Sequence, residues 1–172
     1  MSIANAAPFD RVQLRHLAIN NLVQWGDHLS VNHSGIDAQH KAIFELGTKI
    51  HENWRVGAKV NVLRSAIDKL AILLEAHFSY EEKLLAEIDY KELVPHAAEH
   101  RSMLKDLKAL QDHFHALVGE TDSSGGSILA PGWSAMLFVL GFAIGHVSTS
   151  DMNYFQPLQA SRNSEQGTVG SA

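Results

Sequence analysis

Apolar positions recur with helical spacing in four long stretches, and no stretch alternates convincingly like a strand. The first predicted helix runs from about Ser34 to Trp54. Ser34 followed three residues later by Asp37 has the pattern of a capping box, and Gly57 supplies a stop. The second, from about Asn61 to Ile88, turns Leu63, Ile67, Leu70, Leu74, His77, Glu81 and Leu84 inward, in alternating steps of four and three. The third, from about Val94 to Leu117, has Pro95 in its first turn and a seam of His96, His100, Met103, Leu107, Leu110, Phe114 and Leu117. The fourth, from about Pro131 to Phe155, is apolar nearly all round, so it is either wrapped by its neighbours or presents an interaction face. Gly119 to Ser127 reads as a loop by composition. The pattern predicts an all-α chain whose residues 25–155 form an up-down-up-down four-helix bundle. Residues 1–24 form an N-terminal extension, with Phe9, Leu14 and Leu17 able to fold over the fourth helix. Residues 156–172 are polar and are expected to be a disordered tail.

Two of these seams carry polar groups where a core needs apolar ones. His77 and Glu81 occupy consecutive inward positions of the second helix; His96 and His100 open the seam of the third. Residues four apart lie about 40° apart around a helix, so each pair offers two donors to one point in the core. A buried imidazole or carboxylate without a partner costs several kcal/mol. A metal ion satisfies all four at once, and imidazole with carboxylate suits Fe, Zn, Cu or Mn. His40 on the first helix and His146 and Asp151 on the fourth add further donors. On a continuous helix His146 and Asp151 stand about 140° apart, which suits a terminal imidazole on one metal and a carboxylate reaching across to bridge two.

Composition narrows the chemistry. Histidine is the unusual residue, 11 in 172, and cysteine is absent. Disulfides, thiolate metal sites and cysteine nucleophiles are therefore excluded. A net charge of −5 gives no basic footprint for nucleic acid. Residues 1–9 have neither the charged nor the apolar region of a secretory signal. The apolar run from Trp133 to Val147 is shorter than the ~20 residues of a membrane span. A cytoplasmic protein without a membrane span is expected.

The donors fall into Asp37-Ala-Gln-His40-Lys-Ala-Ile-Phe44, His77-Phe-Ser-Tyr-Glu81-Glu82, His96-Ala-Ala-Glu-His100 and His146-Val-Ser-Thr-Ser-Asp151, preceded by Trp25. Taken together, from Trp25 to Phe155, these motifs resemble the hemerythrin family in its single-domain bacterial form (the bacteriohemerythrins). The resemblance implies a non-haem di-iron centre, oxo- or hydroxo-bridged. His96, His100 and His146 would hold one iron and His40 and His77 the other, with Glu81 and Asp151 bridging. It implies reversible binding of O2 as hydroperoxide at the open iron, for oxygen transport, storage or delivery. Ile43, Phe44, Phe78 and Val147, each beside or one turn from a ligand, are the expected walls of the ligand pocket. The family usually has Trp-Leu shortly before the last histidine. Here the stretch reads Phe142-Ala143-Ile144-Gly145-His146, and Ala143 in the leucine's place predicts a larger, wetter pocket, faster autoxidation, and access for other small ligands such as NO or azide.

Neither Glu-x-x-His nor His-Glu-x-x-His occurs in the chain, which counts against a ferritin-like oxidase and a metalloprotease. No acid or base stands beside the ligands, since Tyr80 and Glu82 point off the seam, so a binding protein rather than an enzyme is expected. Peroxidase, oxidase or NO-handling chemistry is the alternative. An O2 or redox sensor is another; with no output domain in the chain, it would act through a partner or an oligomer contact on the fourth helix or the N-terminal extension. Six histidines are assigned no ligand role: His16, His28, His33, His51, His113 and His115. His33 precedes the first helix. His51 lies roughly 16 Å beyond His40 along it, and all six are expected at the surface or at the bundle ends.

Overall fold

The computed structural model describes residues 24–124 and 129–168, and among them every regular element is helical. A 3₁₀ turn at Asp27–Leu29 leads into α1 (Ser34–Arg55), followed by α2 (Val60–Glu87), α3 (Leu93–Ser124) and α4 (Leu129–Leu140). A π-helical segment, Gly141–Val147, continues α4. A 3₁₀ turn, Asp151–Tyr154, then enters α5 (Phe155–Thr168). α1 packs on α2, α2 on α3, α3 on α4 and α4 back on α1, which closes the four-helix bundle. The N-terminal extension as far as Val23 lies outside the described residues, as do residues 125–128 and 169–172.

The helix ends differ in detail from the reading of the sequence. His33, not Ser34, caps α1: its Nδ1 accepts the Ile36 N–H at 3.3 Å. Asp37 reaches further back, accepting from the Val31 N–H at 2.9 Å and the Ser30 hydroxyl at 2.7 Å. At the other end Gly57, with φ of 68°, closes a Schellman motif in which the Gly57 N–H bonds to Trp54 O and the Ala58 N–H to Asn53 O. α3 runs seven residues past Leu117, through Gly119, because one interior glycine costs a helix only about 1 kcal/mol. The polar segment after Gln156, expected to be disordered, is helical to Thr168 and buries Leu158.

The largest departure is in the fourth helix, which is not continuous. Ser148 Oγ donates to Ile144 O at 2.6 Å and Thr149 Oγ1 to Gly145 O at 2.5 Å. Side chains thus take up carbonyls in competition with the backbone ladder, next to two glycines that favour a helix poorly. The Ser148 N–H reaches back five residues to Ala143 O, and the chain then turns through Thr149 and Ser150. By composition Ser134–Ser161 is long and apolar enough to cross a membrane, with a mean hydropathy of 1.3. It is nevertheless interrupted at Ser148–Ser150 and carries two buried polar residues, His146 and Asp151.

The apolar core comes in two parts. The larger fills the bundle from Val60 and Phe114 up to Phe44, Phe78, Phe142 and Val147. The smaller gathers Val31, Ile36, Leu85, Tyr154 and Leu158 at one end. Each strut of the bundle passes from one cluster to the other through polar residues. α1 goes from Ile36 through His40 to Ile43, and α2 from Phe78 through Glu81 to Leu85. The last strut goes from Val147 through Asp151 to Tyr154.

Candidate metal centre

The polar layer between the two clusters consists of His40, His77, Glu81, His96, His100, His146 and Asp151, all 5% exposed or less. These are the seven residues singled out from the sequence. They form two groups able to hold a metal ion, Glu81 with His96, His100, His146 and Asp151, and His40 with His77 and Asp151. Asp151 belongs to both. Its Oδ2 lies 3.1 Å from His40 Nε2 and its Oδ1 3.1 Å from His146 Nε2. Glu81 spans the layer in the same way, with Oε1 2.9 Å from His96 Nε2 and Oε2 3.2 Å from His77 Nε2. The break after His146 is what delivers Asp151: the turn replaces the 140° separation expected on a straight helix and brings both side chains to one centre.

Three of the five histidines are fixed in orientation through their other ring nitrogen. His77 Nδ1 donates to Gln39 Oε1 at 3.1 Å, His100 Nδ1 to Glu82 Oε1 at 2.8 Å, and His146 Nδ1 to Glu99 Oε2 at 3.3 Å. Glu99 Oε2 also accepts from Ser150 Oγ at 2.6 Å, tying α3 to the turn before Asp151. Such partners set the tautomer and raise the basicity of a ligand imidazole. The sequence reading passed over all of them and set Glu82 aside as pointing off the seam. Each directly precedes or follows a ligand in the chain, yet serves a histidine on a different element. A polar residue flanking His40, Glu81 and His100 was the signal available.

The electrostatics suit a cation. Burial lowers His100 and His146 each to about 3 and His40 to about 4, so all three are neutral at pH 7. With both Nδ1 atoms donating, His100 and His146 turn unprotonated Nε2 lone pairs toward one another at 3.0 Å. His96 behaves differently: burial lowers its pKa, but the hydrogen bond and charge of Glu81 outweigh that and raise it. Burial alone would raise Glu81, yet the surrounding imidazoles of His77 and His96 hold it well below the usual carboxylate range. Burial and the neighbouring Glu81 charge push Asp151 well above it. Neither Asp151 oxygen makes a hydrogen bond, and neither does Glu81 Oε2 or Tyr154 Oη. Facing lone pairs and orphaned buried carboxylate oxygens are what an N/O metal site presents, so the residues fit a metal pair.

Aromatic rings cover one side of this layer. Phe78 stacks on His100 at 3.9 Å, and Trp25 lies 5.8 Å from His40 and 5.7 Å from Phe44. Ile43, Phe44, Phe78, Ala143 and Val147, the expected pocket walls, are all buried in the larger cluster. Phe142, which the sequence reading did not single out, also borders the site, 6.3 Å from His40, 6.2 Å from His77 and 5.9 Å from His146. The space opened by Ala143 therefore has a bulky neighbour. Of the histidines assigned no ligand role, His33 caps α1 and His115 pairs with Asp68 at the surface. His51, expected at the surface or a bundle end, is near the end of α1 but buried, 2% exposed beside Trp54. His16 lies outside the described residues.

The hemerythrin HHE cation binding domain matches residues 32–131. The chain belongs to the hemerythrin family. Two ligands of this hemerythrin, His146 and Asp151, lie beyond the matched stretch, and the fold returns them to the centre. Among relatives, the bacteriohemerythrin of Clostridium acetobutylicum is 34% identical over 88 residues, 49% of this chain and 68% of its own length. That of Campylobacter jejuni is 31% identical over 84 residues, covering 48% and 62%. That of Methylococcus capsulatus is 27% identical over 124 residues, covering 72% and 86%.

Proposed function

We propose that the chain is a non-haem di-iron protein that binds O2 reversibly, for oxygen transport, storage or delivery. The observation that carries the reading is the asymmetry of the two donor groups around one shared carboxylate. Three imidazoles converge on one side of Asp151 and two on the other, so the His40–His77 side has a coordination position to spare. His96, His100 and His146 would hold one iron, His40 and His77 the other, and Glu81 and Asp151 would span both. Bound there, a ferrous pair would supply the redox chemistry for reversible O2 binding.

The remaining work falls to the protein. Gln39, Glu82 and Glu99 hold three ligands in the tautomer that offers Nε2. Phe44, Phe78 and Phe142 keep water from the His40–His77 side, and none of them carries a proton to deliver, which favours binding over turnover. The names of the relatives support the same reading. A second reading, an O2 or redox sensor, draws on Leu137 and Ile144, which are 52% and 44% exposed on the strut that carries His146. A partner docked there would touch the element that moves with the ligand.

Metal analysis is expected to give two irons per chain. Anaerobic ferrous protein is expected to be nearly colourless, to gain an iron charge-transfer band with O2, and to lose it under vacuum. Prompt irreversible conversion to ferric protein would favour the sensor or an oxidase; a single zinc per chain would overturn the reading.

A further inference from the structure

A groove of about 390 Å³ runs between α3 and the π segment, walled by Ser102 and Met103 on one side and Gly141 and Gly145 on the other, with Phe142 and His146 among its lining. Nothing lies within 4 Å of where a Cβ would stand on either glycine, so the π segment leaves its side of the groove open. Phe142 therefore borders two spaces. It lines the groove, and it lies 6.2–6.3 Å from the rings of His77 and His40, on the side of the centre with the spare position. It is itself only 3% exposed.

We infer that Phe142 is the gate through which a small apolar ligand passes from this groove to the His40–His77 side of the centre. The inference rests on the O2-binding reading and adds the route. Phe142 meets His40, Phe44 and His77 at interplanar angles of 74°, 61° and 85°. These are edge contacts, and a phenyl ring has no hydrogen bond to break when it turns. The backbone that carries it is π-helical and flanked by glycines, a geometry often found at functional sites. Its swing toward Gly141 and Gly145 meets no side chain on either residue. The groove is apolar along Met103, Leu137, Phe138 and Phe142 and polar at Glu99, Ser102 and Asp106, so water reaches it and the phenyl gate is what excludes water from the centre.

A gate changes the rates of binding and release together and leaves affinity alone, whereas a pocket wall changes affinity. Ser102→Trp and Gly141→Leu fill the groove without altering a ligand or Phe142. In iron-loaded protein, both are expected to slow O2 association and dissociation alike, by about tenfold for each 1.4 kcal/mol added to the barrier, with Kd unchanged. Phe142→Ala is expected to speed both. In metal-free protein, exchange of xenon at the Ile43 and Val147 methyl groups, followed by NMR, is expected to slow in the same two groove variants. Wild-type rates for both gases in these variants, or control of the rates by Trp25→Ala instead, would overturn the gate. If the iron protein takes up no O2, the proposed function fails, and xenon exchange alone decides whether Phe142 gates the cavity.

Discussion

Asp151→Asn is expected to stabilise the metal-free protein and, at the same time, to abolish loading of a metal pair. Asp151 is fully buried, and its two oxygens have no hydrogen bond. Its folded pKa is raised by burial and by Glu81. A carboxyl whose folded pKa exceeds its unfolded one holds on to its proton in the native state. The resulting penalty is therefore absent below the unfolded value of 3.8 and grows as pH rises above it. At pH 7 the metal-free fold carries that penalty, and an amide of the same shape removes it. The gain is the ionisation penalty that the amide avoids, about 1.4 kcal/mol for each unit by which the folded pKa exceeds the unfolded one, worth about 2–4 °C in Tm per kcal/mol for a chain of this size. The loaded protein is expected to respond in the opposite direction, because the one residue common to both donor groups is gone. Thermal melts with and without metal, and metal analysis, check both halves. A lower Tm for the metal-free variant would mean that Asp151 has a stabilising partner in the native fold.

Glu99→Gln is expected to weaken metal binding by about 10–100-fold, the usual cost of removing the partner of a ligand imidazole. The carboxylate lies on the surface, half-exposed, and touches no metal position. Its effect runs through His146 Nδ1 and through Ser150, the residue before Asp151. A neutral amide in its place offers a weaker acceptor and can present its NH₂ to His146 instead. Because an exposed pair contributes little stability, the metal-free variant is expected to melt close to wild type while releasing metal faster to a chelator. Equal loss of stability and affinity would reduce Glu99 to a general prop. Glu99→Asp, too short to reach both partners, is expected to restore less than half of the lost affinity.

Four residues of the centre were legible because a bundle seam tolerates so few polar residues: His77, Glu81, His96 and His100 stand out against Leu63, Leu74, Leu107 and Phe114, whereas His40, His146 and Asp151 were tied to them by the family's motifs. Helix number and order followed from the same periodicity. What periodicity does not encode is where a helix breaks when the break depends on side chains bonding to carbonyls a turn back. Ser148 and Thr149 look like ordinary helix residues until Ile144 O and Gly145 O are found bonded to them. Gln39, Glu82 and Glu99 were missed for a related reason. Each serves a histidine on another element, so its role depends on interhelical geometry. His51 shares nearly the face of His40 but lies too far along the helix to reach the centre; placing it at the surface or a bundle end did not follow from that distance, and it is buried. Phe142 became visible only with the π segment that presents it.

Two apolar clusters separated by a polar layer are, in energetic terms, two folding units joined by a removable bond. The larger unit holds most of the buried apolar side chains. The smaller one, built on Val31, Ile36, Leu85, Tyr154 and Leu158, is held to it by helices whose continuity runs through seven polar side chains. Without metal those side chains are joined only by hydrogen bonds such as His96 to Glu81 and His146 to Glu99, and a bound metal would tie all four elements together at this layer. Amide exchange in the metal-free protein is therefore expected to be fastest around these five residues and to fall to the rate of global unfolding once metal is added. The centre would then report its own occupancy as order or fraying at one end of the bundle.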